Sequence, residues 1–119
     1  MDTACVVGIQ HVIGQIEYIT ITWDGAHVGE VLHTRYQKRD DVINLIRGGS
    51  RSFLDGPDDI LEEGDLPKLV RTHQDFFRIK EYDPQYYYLF TTDNSWVIYS
   101  IHLEPHLQHE NRLYDFICK

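Results

Sequence analysis

Apolar positions in the first two dozen residues recur with the period of a strand. The stretch TACVVGIQHV (3–12) is β-branched and apolar. IGQIEYITITW (13–23) alternates, with Ile16, Tyr18 and Thr20 directed to one side and Glu17, Ile19 and Ile21 to the other. Gly14 falls where the first strand can turn into the second, which predicts a β-hairpin. Asp24-Gly25 ends the second strand, because Asp tolerates turns and Gly tolerates positive φ. The period then becomes helical. HVGEVLHTRY (27–36) places Val28, Val31 and Leu32 at helix spacing. KRDDVINLIRGG (38–49) is a clearer helix, with Asp40 or Asp41 at the positive end of its dipole and Val42, Leu45 and Ile46 as its stripe. Arg47 lies in the last turn and Gly48 supplies the stop.

The pattern is then interrupted. SRSFLDGPDDILEEGDLPKL (50–69) is punctuated by Gly56, Pro57, Gly64 and Pro67 and reads as loop. VRTHQDFFRIKEY (70–82) suits a strand or a helix, and a strand around 75–81 is the expectation. YYYLFTT (86–92), the turn Asp93-Asn94-Ser95 and WVIYSIHL (96–103) form the strongest hairpin signal in the chain. After Pro105 a short helix or a final strand is expected. The order β-β-α-α-loop-β-β-β predicts one α+β domain over 1–119, built on a mostly antiparallel sheet with an N-terminal hairpin, a short helical pair and a C-terminal hairpin.

Charge narrows the partners. The net charge is −8, and six carboxylates with no base lie between Asp55 and Asp65: Asp55, Asp58, Asp59, Glu62, Glu63 and Asp65. Direct binding to nucleic acid or to an anionic membrane is disfavoured, and a basic protein partner is favoured. Such a segment is ordinarily a solvated loop. Its carboxylates also imitate phosphates and can steer association toward a basic protein. Eight tyrosines suit either a core or a contact surface. No stretch approaches the ~20 apolar residues that span a bilayer, and no signal-peptide pattern is present, so a cytosolic protein is expected. Cys5 and Cys118 are expected as free thiols, although chain ends often lie close enough to pair.

Candidate chemistry is sparse. Trp23, Asp24, His27 and Arg47 can line a cleft between sheet and helices, where an indole and a guanidinium would hold a base and a phosphate. The plainer reading makes Trp23 a core residue and Asp24 a turn former or cap. Arg47, Gly48, Gly49, Ser50 and Arg51 can bind an anion, or can simply be a helix end with two solvated arginines. His102, His106 and His109, followed by Glu110, match no standard zinc spacing and are expected as exposed residues. There is no nucleophile elbow and no P-loop. No metal and no cofactor are expected.

One set of residues resembles a known pattern. It comprises Trp23-Asp24-Gly25, then Gly29, Leu32 and Tyr36, then Leu45-Ile46-Arg47-Gly48-Gly49, Ser52 and Leu54, then Tyr88-Leu89-Phe90 and Trp96, with Gly8-Ile9 and Gly14 in the first hairpin. These resemble a family of small tailed-bacteriophage proteins with a strand-terminal Trp-Asp-Gly motif, over roughly 4–54 closely and 86–99 loosely. Phe53, Ala26-His27 and Thr22 depart from it, at positions where the family has Ser, Tyr-Pro and His. The resemblance implies a phage accessory gene expressed in the host bacterial cytoplasm and acting on a host system. With the acidic balance, the tyrosine surplus and the lack of a catalytic signature, it leads to a non-enzymatic protein that binds and blocks a host defence component, in the manner of anti-CRISPR proteins. The alternatives are a sponge for a nucleotide second messenger, using Trp23, Arg47 and Arg51, and a small nucleotide-degrading enzyme. The oligomeric state stays open, a homo-oligomer included.

Overall fold

The computed structural model describes residues 3–22, 25–50, 54 and 66–100, and the backbone of 111–112. The elements are β1 (Cys5–Gln10), β2 (Ile16–Ile21), α1 (Gly25–Arg35), α2 (Arg39–Arg47), β3 (Lys68–Val70), α3 (His73–Phe76), β4 (Tyr86–Phe90), β5 (Trp96–Ser100) and β6 (Asn111–Arg112). The fold is α+β, as expected. Its sheet has six strands in the order β3-β2-β1-β4-β5-β6.

Both hairpins form in the predicted places, with Val7 opposite Ile19 and Tyr88 opposite Ile98. The junction between them corrects the expectation of a mostly antiparallel sheet. β1 and β4 run parallel, with Val7 beside Tyr88, so the sheet is mixed. The second correction concerns the strand expected around 75–81. The strand lies earlier, at Lys68–Val70, and pairs with β2, while His73–Phe76 is a helical turn. Thr72 decides this locally: its hydroxyl accepts from the Asp75 N–H at 3.0 Å, capping the turn before the apolar run can extend.

Both faces of the sheet are covered, which explains the nearly continuous apolar run of β1. On one face Cys5, Val7, Ile9, Ile19, Ile21, Tyr88 and Phe90 pack under Val28, Val31 and Leu32 of α1 and Val42, Leu45 and Ile46 of α2. On the other face Val6, Ile16, Tyr18, Tyr87 and Leu89 pack against Phe76 and Ile79. The alternation read in β2 is thus observed. Gly8 permits the second layer, since a Cβ there would lie 2.5 Å from Phe76 Cε1.

The helical pair is stitched to the second hairpin. The Tyr88 hydroxyl donates to the Gly25 carbonyl at 2.7 Å, and the Trp96 indole donates to the Tyr36 carbonyl at 2.8 Å. Gly25 also donates its N–H to the Thr3 carbonyl at 2.7 Å, leaving no room for a side chain. At the end of α2 it is Gly49, at φ 88°, rather than Gly48 that takes the left-handed conformation. Most of the described tyrosines serve the interior, with Tyr18, Tyr87 and Tyr88 buried, Tyr36, Tyr86 and Tyr99 half-buried against the two cores, and Tyr82 exposed.

Candidate interaction surface

Of the residues singled out in the sequence, His27 and Arg47 are described and exposed. His27 Nδ1 lies 3.4 Å from Glu30 Oε2, one turn along the same helix. Trp23, Asp24, Arg51, the carboxylates Asp55, Asp58, Asp59, Glu62, Glu63 and Asp65, the histidines His102, His106 and His109 with Glu110, and Cys118 lie outside the described residues. Cys5 is a free thiol in the core, its pKa pushed far up by burial, which leaves it inert as a nucleophile. Among the described residues no group of three His, Cys, Asp or Glu side chains could hold a metal ion, and no helix is long and apolar enough to cross a membrane.

The motif residues that are described mostly serve packing. Leu32, Leu45, Ile46, Leu54, Phe90 and Trp96 belong to the helix-side core, and Gly29 makes room for the Tyr88 hydroxyl at 3.0 Å from where its Cβ would be.

Charge is divided unevenly. Residues 3–22, 25–50, 54 and 66–100 carry eight acidic and eight basic side chains, so the described body is neutral. The net charge of −8 therefore belongs to the remaining residues, with the six carboxylates of 55–65 as its largest share. That segment leaves the body at Leu54, buried in the helix-side core, and rejoins it through Leu66 and Pro67 at β3. One end thus follows a residue packed in the core, and the other leads into a hydrogen-bonded strand at the sheet edge.

β3 is held by a small polar cluster. Glu81 accepts from Lys68 Nζ and from the Tyr18 hydroxyl, each at 2.8 Å. Burial works to raise the Glu81 carboxyl, but the hydrogen bonds from Lys68 and Tyr18 and the Lys68 charge outweigh it, and its pKa is lowered. Burial, reinforced by Glu81, pushes the Tyr18 phenol up to about 12. The segment then turns through Tyr82 and Asp83, both left-handed at φ 60° and 51°, and presents the Tyr82 ring to solvent.

The two hairpin turns share one design. His11 donates its N–H to the Gln15 carbonyl and Gly14 to that of His11; Thr91 and Asn94 repeat the pattern with Ser95 and Thr91. Gly14 and Asn94 both have positive φ. The parallel β1–β4 pairing sets the turns side by side, and Arg39 ties them by donating to the Gln10 and Thr91 carbonyls. The second turn carries Thr92 and Asp93 at its tip, as turn chemistry favours. The first carries Val12 and Ile13 in the same places, 90% and 79% exposed. The signal for this was present in the sequence, as an apolar pair immediately before a turn glycine.

Comparison with protein-family models, with curated proteins and with solved structures returns no match.

Proposed function

We propose that this chain is a phage-encoded accessory protein that binds and blocks a component of a host defence system in the bacterial cytoplasm, acting by surface contact rather than by chemistry. The observation that carries this reading is the segregation of charge. A neutral, doubly layered body holds both ends of a segment with six carboxylates and no base. Clustered charge of one sign raises the on-rate toward an oppositely charged face far more than the same charge spread evenly. The partner is accordingly a protein with a basic surface, such as one that handles nucleic acid. The phage setting and the anti-CRISPR-like role rest on the sequence resemblance.

The reading is tested by expressing the chain in bacteria that each carry one antiphage system and challenging them with phage. Plating should be restored on one system, with a component of that system co-purifying. Unchanged plating across the panel would sink the proposal.

A further inference from the structure

Val12 and Ile13 form the tip of the β1–β2 hairpin and are 90% and 79% exposed. The turn does not need them. It is closed by the bond from the Gly14 N–H to the His11 carbonyl and by the left-handed Gly14. The β4–β5 turn closes in the same way with Thr92 and Asp93 in those two places. Turn tips that face water ordinarily carry polar residues, as the second turn does. The two apolar side chains are neighbours on a single tip, so they make one surface by themselves.

That tip is braced. Arg39, the first residue of α2, donates to the Gln10 carbonyl just before the first turn and to the Thr91 carbonyl at the start of the second, the latter at 3.3 Å. It also reaches Asn94 Oδ1 at 3.5 Å, and Gln10 Oε1 accepts from the Thr92 N–H at 3.4 Å. The Thr91 hydroxyl donates to the Asp93 carboxylate. Helix and both hairpins are thereby tied at one end of the sheet. The outcome is a pair of fixed turns, with two apolar side chains on one and a carboxylate on the other. Bracing of this kind reduces the ordering entropy that binding costs.

Shape and charge decide what can meet this end. The tip is convex, and two side chains fall far short of the roughly 800 Å² per partner that a stable protein interface buries. A second copy meeting it tip to tip would bury too little to persist. A pocket encloses both side chains and lets the ground around the tip supply the remaining contact. The Asp93 carboxylate beside it is complemented by a cation at the pocket's rim.

We infer that the Val12–Ile13 tip is a plug that enters an apolar pocket of a partner protein, with a basic residue at the rim facing Asp93 and with Arg39 as the positioning residue that holds tip and carboxylate in register. This rests on the inhibitor reading above and names the contact through which it acts.

The test uses the full chain and the defence component that co-purifies with it. Val12→Thr/Ile13→Asp, which copies the chain's own second turn, should weaken binding about tenfold or more while its thermal melt stays unchanged. Asp93→Asn should weaken it less and flatten its salt dependence. Leu69→Ser, which removes an exposed apolar side chain on β3, should leave the affinity unchanged. Arg39→Ala should weaken binding by the wild-type tip but not by the Val12→Thr/Ile13→Asp tip, a coupling that a general loss of stability would not produce. The photo-crosslinker p-benzoylphenylalanine in place of Ile13 should attach to the component. Undiminished binding by Val12→Thr/Ile13→Asp, an equal loss from Leu69→Ser, or an adduct within the chain or to a second copy would overturn the inference and leave the inhibitor reading intact. Failure of the wild type to bind a component of any antiphage system would remove both.

Discussion

Replacing Gly8 with alanine adds one methyl group at the centre of the sheet, where β1 is held by β2 on one side and β4 on the other. The new Cβ would lie 2.5 Å from Phe76 Cε1 and 3.0 Å from Ile16 Cγ2. Carbon atoms prefer roughly 3.5–4.0 Å, so about 1 Å of movement is required. The strand cannot supply it, and Phe76 is enclosed by Tyr18, Phe77 and Tyr87, with ring centroids 5.2 to 6.4 Å away. Overpacking of this kind costs about 1–3 kcal/mol. Alanine returns roughly 0.5–1 kcal/mol of the entropy that glycine loses in a strand. A net loss of about 1–2 kcal/mol follows, a sizeable part of a small domain's total. The strain should also reach β3, because Phe76 anchors the segment that leads to Glu81, which accepts from Lys68. Urea melts of the wild type, Gly8→Ala, Phe76→Leu and the double variant measure the coupling. Leucine lacks the colliding ring atoms, so Gly8→Ala should cost little or nothing in the Phe76→Leu background. An equal cost in both backgrounds, within ~0.3–0.5 kcal/mol, would refute the account of how Phe76 is seated.

Three further substitutions probe the polar cluster at β3 and the turn that follows it. Tyr82→Gly relieves a left-handed conformation worth about 1–2 kcal/mol to a residue with a Cβ, less the added freedom of the unfolded chain; stability should rise by roughly 0.5–1 kcal/mol in denaturant melts. The Glu81 carboxyl has a lowered pKa, so its contribution is complete above its ordinary value and disappears as the pH falls through the folded-state value. The Tyr18 phenol is raised to about 12, so its contribution is complete below its ordinary value near 10 and is lost as the pH climbs toward 12. Melts of Glu81→Gln should show a flatter acid limb than wild type, and melts of Tyr18→Phe a flatter alkaline one.

What the sequence made legible follows from how local each signal is. The hairpins at Gly14 and at Asp93-Asn94 were readable because the alternation and the turn residues lie within a dozen positions of each other. The stripes of α1 and α2 were readable for the same reason, and Val28, Leu32, Val42, Leu45 and Ile46 are all buried. The parallel pairing of β1 with β4 has no local signature: it depends on the course of some seventy-five intervening residues. The strand expected at 75–81 failed because Phe76, Phe77 and Ile79 have strand-like composition, while the deciding bond from Asp75 to Thr72 is a capping pattern that the apolar run concealed. The candidate surface was half visible. The acidic segment was evident, but the neutrality of the packed body depends on which residues the sheet and helices take up.

The proposed function requires that a concentrated acidic segment on a neutral body steer this chain to a basic protein surface. The measurement is the association rate with the co-purifying defence component as a function of ionic strength, for the wild type and for Asp58→Asn/Asp59→Asn/Glu62→Gln/Glu63→Gln. The wild-type rate should fall about tenfold or more between low and high salt. The neutralised variant should start lower and change little. Superimposable salt profiles for the two proteins, or a wild-type rate indifferent to salt, would show that the acidic segment does not steer association.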